Sequence, residues 1–394
     1  MEKLVFSIER SSRINSLMER YVVGGKLAGA VTCIARHGRI EHLETFGYQN
    51  LETKTPMAKD SIFRIYSMTK PITSVALMML YEDSLFSITD PVSQYIPAFA
   101  DVKVLGTNGQ LETPLRPITI QDLLRHTAGL SYGGFNETQL PVDKIYDEHP
   151  EIVTNKISNE KLVKVLVALP LAFHPGTKWH YSMATDVCGY LLEVLSNMPL
   201  ADFMHEKIFK PLGMTDTAFH IDPSKLGRFC TLYGKTPESD FAVLDTPESS
   251  EYLPPVNLHA GGSGLVSTTS DYLKFAQFIL NKGELDGVRL LGSKTIEFMT
   301  ANHLPAKLLP IAFEGTEPML GMGFGLGFSV MLDTAQTGFM GAVGDHGWGG
   351  YAETYFWIDP KEEMIALLMT QYLPSQTYPI RKEFRTAVYQ AFVN

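Results

Sequence analysis

The sequence is short of the residues that build disulfides and metal sites. Its three cysteines, Cys33, Cys188 and Cys230, lie far apart among apolar neighbours, as reduced thiols in a protein core do. No two of its 11 histidines lie within four residues of each other, so the helical His-x-x-x-His ligand pair is missing. We therefore expect neither a disulfide framework nor a bound metal ion.

Long apolar runs and positive charge are also scarce. No stretch of about eighteen apolar residues is present that could cross a membrane. Lys and Arg number 33 against 43 Asp and Glu, a formal net charge of −10, which leaves no basic surface for phosphates. Neither a nucleic acid nor a membrane is expected as a partner, and a small or neutral substrate is favoured. The first ten residues carry charges where a signal peptide needs an apolar stretch, which predicts a cytoplasmic protein.

The glycine spacing argues against a nucleotide cofactor. Gly321, Gly323, Gly325 and Gly327 alternate, whereas dinucleotide-binding loops need Gly-x-Gly-x-x-Gly and phosphate-binding loops need a Walker motif. Alternating glycines are more typical of a strand that another backbone approaches closely. We therefore expect no cofactor.

The composition that remains is that of an ordinary globular protein, with 45% hydrophobic and 19% charged residues. Two β-like stretches, 30–36 and 39–48, flank His37-Gly38, a two-residue turn of hairpin type. More strands are predicted at 325–332, 351–358 and 364–371. Helices are predicted at 14–22 behind Ser11 and Ser12, and at 120–126, 159–169, 185–195, 200–209, 270–280, 293–299 and 378–392.

This order of elements predicts an α+β fold in which both ends of the chain build one antiparallel sheet flanked by helices. Residues 1–66 and 320–394 would form that lobe. Residues 67–319 would form a mostly helical inserted lobe, with the functional site between the two.

The stretch 63–83 is the most informative part of the chain. Ser67-Met68-Thr69-Lys70 runs directly into a helical pattern with one buried face. A serine at the start of a buried helix lies beside unpaired N–H groups and the positive end of the helix dipole, and both stabilise an oxyanion. Lys70 lies on the same face and can accept the serine proton if burial or a neighbouring cation favours the neutral amine. Ser67 is therefore a candidate nucleophile.

Two other serines fit nucleophile patterns less well. Ser158 and Lys161 repeat the Ser-x-x-Lys spacing within a polar run, which predicts a helix cap. Ser131 lies in Gly-x-Ser-x-Gly, the elbow of α/β-hydrolases, but that elbow needs a strand before the serine and a helix after it. A helical pattern precedes Ser131 and a loop follows it, so we do not expect Ser131 to be a nucleophile.

Two further stretches place aromatic residues beside turns. Tyr181 follows a turn at 173–180 and precedes a helical pattern. The stretch 346–351, His-Gly-Trp-Gly-Gly-Tyr, precedes a β-like run, and its glycines allow a backbone to approach a ligand closely. Either stretch alone is more typical of a packed aromatic residue in a turn.

Together these stretches resemble the serine β-lactamase and penicillin-binding-protein superfamily, in its class C-like branch. Agreement extends in order over nearly the whole chain, through 123–130, 209–217 and 261–268. The Trp-Gly-Gly form of the third motif is similar to that of family VIII carboxylesterases, although His346 rather than Trp348 can also lead it. The matching motifs are Ser67-x-x-Lys70 for the nucleophile, Tyr181-Ser182-Met183 for Tyr-x-Asn and Trp348-Gly349-Gly350 for Lys-Thr-Gly.

The resemblance implies a serine ester hydrolase that forms an acyl-enzyme on Ser67 and needs no cofactor. It also implies that Lys70 and Tyr181 share general acid–base duty. The backbone N–H groups of Ser67 and Tyr351 would form the oxyanion hole. The loop 303–319 would be one wall of the substrate pocket, and further residues expected at the substrate are Trp348, Gly349, Gly350, His346, Met183, Tyr132 and Phe135.

Two departures from the family pattern indicate the substrate. Met183 stands where the lactamases have an asparagine for the substrate amide, and Trp348 where they have a lysine for its carboxylate. Both changes remove polar recognition, which favours a small-molecule ester of a short acyl chain. Acyl transfer to an alcohol or amine, β-lactam hydrolysis and D-amino peptidase activity stay open as alternatives on the same scaffold. The intact nucleophile and base motifs argue against an inactive binding domain.

Overall fold

The computed structural model describes residues 5–134, 140–154 and 156–393. A 3₁₀ turn at Tyr66–Met68 precedes the second helix, and a π turn at His205–Phe209 follows the seventh. The helices are α1 Ile8–Val23, α2 Thr69–Glu82, α3 Ile120–Leu124, α4 Asp143–Asp147, α5 Asn159–Ala168, α6 Ala184–Ser196, α7 Leu200–Met204, α8 Thr269–Leu280, α9 Ser293–Met299, α10 Thr334–Thr337 and α11 Ile380–Tyr389.

Most of the long strands come from the two ends of the chain. The strands are β1 Val5–Phe6, β2 Gly29–Arg36, β3 Arg39–Asn50, β4 Thr55–Pro56, β5 Ile62–Arg64, β6 Val104–Leu105, β7 Leu111–Glu112, β8 Leu232–Gly234, β9 Ala242–Asp245, β10 Val266–Thr268, β11 Glu284–Leu285, β12 Val288–Arg289, β13 Met322–Phe324, β14 Ser329–Met331, β15 His346–Gly349, β16 Tyr355–Asp359, β17 Met364–Thr370, β18 Tyr372–Leu373 and β19 Phe392–Val393.

Eight of these strands form the main sheet, in the order β13-β14-β15-β16-β17-β2-β3-β4, with antiparallel neighbours throughout. β2 joins the two chain ends because it pairs with β17, with Arg36 opposite Met364. The β2–β3 hairpin turns at His37 and Gly38, both at positive φ. The predicted α+β fold, with one antiparallel sheet built from both chain ends, is confirmed.

Both faces of the sheet are covered, so β2 is buried along its whole length. Ala30 and Ile34 pack into a cluster with α1 and α11. Val31 and Cys33 point to the opposite face and pack into the larger core of the inserted helices, because side chains alternate along a strand. The three cysteines are buried and unpaired, as predicted.

The structure corrects the start of the first helix. α1 begins at Ile8, and the capping residue is Ser7, whose hydroxyl accepts a hydrogen bond from Arg10 N. Ser11 and Ser12 lie inside the helix, where their hydroxyls donate to the carbonyls of the preceding turn. A serine at those positions satisfies its own hydroxyl but caps nothing, so the expected cap was placed one turn too late.

The structure also corrects the strands around the third motif. The single strand expected at 325–332 is two short strands, β13 and β14, because Gly327 has a φ of +93° and turns the chain between them. Residues 346–349, expected to precede a strand, form β15 themselves, and the next strand starts only at Tyr355.

The segment between the sheet-forming ends carries α2 to α9, but also the short strands β5 to β12. The division into two lobes stays a prediction. Across the described ranges, no helix combines the length and apolarity that a membrane span requires.

Candidate active site

Ser67 lies in the 3₁₀ turn directly before α2 begins at Thr69. The preceding residue, Tyr66, has a φ of +42°, an uncommon backbone conformation for a large side chain. Its ring is held edge-on against Tyr351, with the centroids 6.1 Å apart. Packing of this kind can hold a strained residue in place beside a functional group. The result is a half-buried serine at the start of a buried helix, as predicted, although the α-helix itself begins two residues later.

Lys70 is fully buried in the first turn of α2. Its Nζ lies 3.2 Å from Ser67 Oγ, 2.9 Å from the Tyr132 hydroxyl and 2.8 Å from the Gly262 carbonyl oxygen. These three oxygens match the three donor positions of an ammonium group. A neutral amine in the same place can accept the Ser67 proton and then, as an ammonium ion, donate to all three.

Tyr132, which was expected to line the substrate pocket, contacts Lys70 instead. Its hydroxyl accepts a hydrogen bond from Lys70, so it belongs to the polar centre of the site. Burial raises the pKa of Tyr132 well above its usual value, and the nearby Asp186 and Tyr181 raise that pKa further. Tyr132 is therefore a neutral phenol at neutral pH. Its distance in sequence from Lys70 hid this contact from sequence reasoning.

Tyr181 approaches Lys70 with its ring. The Lys70 ammonium nitrogen lies 4.4 Å from the ring centroid, which is cation–π geometry. The Tyr181 hydroxyl oxygen accepts a hydrogen bond of 3.1 Å from Trp348 Nε1. The structure thus brings four of the expected site residues into one connected group. Ser67 is hydrogen-bonded to Lys70, Lys70 lies against the Tyr181 ring, and Trp348 is hydrogen-bonded to Tyr181.

His126 is a residue of the site that sequence reasoning missed. Its ring centroid lies 4.7 Å from that of Tyr181, and the side chain is fully buried. Neither ring nitrogen has a hydrogen-bond partner among the described residues. Burial lowers the pKa of His126 well below its usual value, and the charge of Lys70 lowers it further. The imidazole is therefore neutral and supports the Tyr181 ring. The feature of the sequence that could have identified His126 is its position in the stretch 123–130, which agrees with the superfamily.

The two glycines of the third motif allow close packing. A Cβ at Gly350 would lie 2.5 Å from the Ile65 carbonyl oxygen, just ahead of the Ser67 turn. A Cβ at Gly349 would lie 2.5 Å from the guanidinium of Arg381, which donates a hydrogen bond to the Gly350 carbonyl oxygen. The missing side chain at Gly350 lets the chain after β15 lie close to the Ser67 turn, and the missing side chain at Gly349 leaves room for Arg381. This packing brings Tyr351, the expected second oxyanion residue, beside the Ser67 segment.

Two other predicted site residues, His346 and Met183, have different placements from those expected. His346 is buried against Phe328, and its Nδ1 pairs with the Gly344 carbonyl oxygen. Burial lowers the pKa of His346 to about 4, so its ring is neutral. Met183 is buried in the core at the start of α6. Phe135 lies outside the described residues. Of the two candidates for leading the third motif, Trp348 is the one whose ring contacts Tyr181.

The loop 303–319, expected as a wall of the pocket, contributes Phe313. The Phe313 ring centroid lies 5.3 Å from that of Tyr181 and 6.1 Å from that of Trp348. The next residue, Glu314, forms an ion pair of 2.8 Å with Lys178. This pair ties the loop to the segment that carries Tyr181.

The two other serines have structural partners. Ser158 caps α5, with its hydroxyl accepting from Lys161 N at 3.3 Å, as predicted. Ser131 is buried, donates to Asp143 Oδ1 at 2.5 Å and accepts from Gly133 N at 3.1 Å. Within the described part of the chain, no group of three or more His, Cys, Asp or Glu side chains is arranged to hold a metal ion.

Comparison with known proteins fits this geometry. Residues 14–390 match the protein family described as Beta-lactamase. The chain belongs to the β-lactamase family. A β-lactamase-family relative, Esterase EstB of Burkholderia gladioli, is 28% identical over 412 residues, which cover 99% of this chain and 98% of EstB. Lovastatin esterase of Penicillium rubens is 30% identical over 374 residues, which cover 87% of this chain and 88% of that protein.

A solved structure in this group agrees with the fold. EstCE1, described as a hydrolase with promiscuous acyltransferase activity, aligns with a TM-score of 0.80 at 25% identity, over 96% of this chain and 98% of EstCE1. The resemblance to family VIII esterases of the serine β-lactamase and penicillin-binding-protein superfamily is thereby confirmed. This β-lactamase-family chain is thus related to hydrolases that include esterases.

Proposed function

We propose that this protein is a serine carboxylesterase that hydrolyses esters of short acyl chains through an acyl-enzyme on Ser67. The observation that carries the proposal is the 3.2 Å contact between Ser67 Oγ and the buried amine of Lys70 at the start of α2. A nucleophile and a base within hydrogen-bond reach are typical of covalent catalysis. The two esterase relatives support an ester as the substrate.

In acylation, Lys70 takes the proton of Ser67 as Oγ forms a bond to the acyl carbon. The carbonyl oxygen of the ester becomes an oxyanion, and the backbone N–H groups of Ser67 and Tyr351 are its proposed donors. The position of Ser67 at the N-terminal end of α2 supports this role, because the helix dipole favours negative charge there.

The tetrahedral intermediate then breaks its bond to the alcohol oxygen, which leaves with a proton. We assign this transfer to Tyr181 and Lys70 together, because the Tyr181 ring lies against the ammonium group. Trp348 Nε1 donates to the Tyr181 oxygen, so the hydroxyl proton of Tyr181 can be directed to another acceptor. In deacylation the same groups take a proton from water as its oxygen bonds to the acyl carbon. The bond between the acyl carbon and Ser67 Oγ then breaks, the proton passes to Oγ and the carboxylic acid leaves.

The surroundings of the site support an uncharged acyl group. The indole N–H of Trp348 is committed to Tyr181, and Met183 is buried in the core. Neither residue can give a substrate carboxylate or amide a charge-assisted hydrogen bond. The rings of Trp348, Tyr181 and Phe313 instead provide apolar surface for a short acyl chain or the alcohol.

The test is a set of rates on p-nitrophenyl acetate and butyrate, with a chromogenic cephalosporin in parallel. We expect hydrolysis of both esters and a covalent adduct of an organophosphonate on the peptide that carries Ser67. An adduct on another serine, or no ester hydrolysis by a folded protein, would contradict the proposal.

Acyl transfer is a second candidate, because EstCE1 is described as a hydrolase with promiscuous acyltransferase activity. Transfer differs from hydrolysis only in the nucleophile that reaches the acyl-enzyme. Adding an alcohol to the p-nitrophenyl butyrate assay and measuring both butyrate and the new ester separates the two reactions. A new ester that outweighs the acid at modest alcohol concentration would make transfer the main activity.

A further inference from the structure

A buried carboxylate that the proposed mechanism does not use lies close to the base. Asp186, in the first turn of α6, is almost completely buried. Its Oδ1 accepts a hydrogen bond of 2.9 Å from Gly262 N, and its Oδ2 has no hydrogen-bond partner among the described residues. An ionised carboxylate in such a place requires a compensating charge.

The Gly262 residue links this carboxylate to Lys70. Its N–H donates to Asp186, and its carbonyl oxygen accepts from Lys70 Nζ at 2.8 Å. One residue therefore separates the buried carboxylate from the buried amine. Lys70 belongs to α2 and Asp186 to α6, two helices that pack against each other, and Gly262 contacts both side chains.

The glycine pair 261–262 makes this approach possible. A Cβ at Gly262 would lie 2.5 Å from Asp186 Oδ2. A Cβ at Gly261 would lie 2.8 Å from the Thr185 carbonyl oxygen and 3.2 Å from Thr73 Cγ2, which belongs to α2. Larger residues would push the two helices, and with them the two charges, apart.

Among the described side chains that surround Lys70, Asp186 carries the carboxylate, and the others offer hydroxyl groups, aromatic rings and an imidazole. Burial raises the pKa of the Asp186 carboxyl above its usual value, and the nearby Lys70 opposes this shift by favouring the ionised form. Around Asp186 itself are Lys70, Tyr132 and the Cys188 thiol, whose pKa burial also raises. The groups that face Lys70 from each packed element are Ser67 from its own turn, Tyr132 from the loop after α3, His126 from the end of α3, Tyr181 from the segment before α6 and Asp186 from α6.

We propose that Asp186 is a positioning residue for catalysis, whose carboxylate stabilises the ammonium form of Lys70 across Gly262 and so helps Lys70 hold the proton that Ser67 releases. This inference rests on the proposed roles of Ser67 and Lys70. The proton moves from Ser67 Oγ to Lys70 Nζ, and Asp186 exchanges no proton in the step. Its role is to supply a counter-charge to Lys70 where both side chains are buried.

The experiment compares the pH dependence of kcat/KM for p-nitrophenyl butyrate in the wild-type protein, Asp186→Asn and Asp186→Ser. Without the carboxylate the ammonium form of Lys70 is less favoured, so the neutral base becomes available at lower pH. We expect the rising limb of the profile to move down by about 1 to 2 pH units, and the plateau to fall by about tenfold or more because the base is weaker.

Asp271→Asn is the matched control, because Asp271 is also a buried carboxylate in the first turn of a helix, and burial raises its pKa as well. Its partners are Asp216, Thr217 and Lys274, none of which contacts Lys70 in this structure. This variant should lose stability but keep the wild-type pH profile.

The outcomes separate this inference from the proposed function. If the wild-type protein neither hydrolyses the ester nor labels at Ser67, the proposed function fails. If the wild-type protein is active and a folded Asp186 variant keeps its pH midpoint, or if Asp271→Asn shifts equally, Asp186 has only a structural role. Because Asn and Ser differ in size and hydrogen bonding, the midpoint can be read from whichever Asp186 variant folds.

Discussion

Ser67 and Ser131 each lie within hydrogen-bond distance of an ionisable side chain, but their surroundings differ in almost every other respect. Ser67 is half-buried and contacts the amine of Lys70. Ser131 is buried and donates to the carboxylate of Asp143, while its oxygen accepts from Gly133 N. The Ser67 hydroxyl has a partner that can take its proton and lies beside the start of a helix. The Ser131 hydroxyl instead closes a turn.

Under the proposed function Ser67 is the nucleophile and Ser131 is not, so proximity to an ionisable side chain does not by itself define a nucleophile. Ser67 lies in a turn before the first residue of a 14-residue buried helix, where backbone N–H groups favour an oxyanion. Ser131 lies in the loop after α3, and Asp143 also accepts from Leu140 N. Exposure to substrate and stabilisation of developing charge distinguish the two sites, and the variants described next test that distinction.

The largest effect is expected from removing the proposed nucleophile. Ser67→Ala should lower kcat for p-nitrophenyl butyrate by at least about 10⁴, because no acyl-enzyme can form. Ser131→Ala should stay within about threefold of wild type, a change that is small on the scale of lost catalytic groups. Circular dichroism checks that both variants are folded. Near-full activity of Ser67→Ala, or loss of activity in Ser131→Ala, would reverse the comparison.

The next largest effect concerns the base on the Ser67 side. Lys70→Ala and Tyr181→Phe should each lower kcat by about 10² to 10⁴, the usual range for lost general acid–base help. If the two residues act as one proton-transfer unit, the double variant should be scarcely worse than the worse single one. Strictly multiplicative losses in steady-state rates would show that they act separately.

Tyr132→Phe sharpens the assignment of the two tyrosine hydroxyls. The Tyr132 hydroxyl contacts Lys70, whereas the Tyr181 hydroxyl contacts Trp348. Removing the Tyr132 hydroxyl takes one acceptor from a buried amine, so we expect a smaller loss in kcat than for Tyr181→Phe, about tenfold for one charged hydrogen bond. If Tyr132→Phe lost more activity than Tyr181→Phe, the proton-donating role would have to be assigned to Tyr132 and not to Tyr181.

Substrate choice should reflect what surrounds Ser67. A β-lactam would leave its amide and carboxylate poorly paired beside Met183 and Trp348, at roughly 1 to 3 kcal/mol for each unmet partner. We therefore expect kcat/KM for p-nitrophenyl acetate or butyrate to exceed that for a chromogenic cephalosporin by at least about 10². A preference for the cephalosporin would overturn the esterase proposal while leaving the Ser67 mechanism in place.

The smallest effect belongs to the Ser131 side and concerns stability. Ser131→Ala leaves the buried Asp143 carboxylate without its hydroxyl donor, which should lower the free energy of unfolding by about 1 to 3 kcal/mol. Urea unfolding at neutral pH measures this loss. The matched surface variant Ser158→Ala removes a helix cap and should cost about 1 kcal/mol. No destabilisation in Ser131→Ala would mean that its hydroxyl has no structural role.

Sequence reasoning succeeded where the determining contacts are local. Ser67 and Lys70 are three residues apart at the start of a helix, so their contact follows from helix geometry. The β2–β3 hairpin was predicted because His37-Gly38 is a turn whose residues accept positive φ. The main sheet takes its strands from both chain ends, as predicted.

The parts that failed depend on contacts between distant residues. Tyr132 reaches Lys70 only because the loop after α3 packs over α2, and no spacing rule describes that. β15 was missed because Trp348 stands among glycines of low strand propensity, and its neighbours β14 and β16 supply the pairing that makes it a strand. His126 and Asp186 are buried polar groups whose importance depends on what surrounds them.

The pairing of β2 with β17 also bears on how the protein is made. Arg36 and its neighbours leave the ribosome long before Met364 and the rest of β17 have been synthesised. At roughly 5 to 20 residues per second, the N-terminal hairpin waits on the order of tens of seconds with one apolar edge uncovered. Non-local pairing of this kind also slows folding after release. The newly made chain therefore needs β17 to cover the edge of its N-terminal hairpin. A ribosome that stalls before β17 leaves this aggregation-prone hairpin exposed.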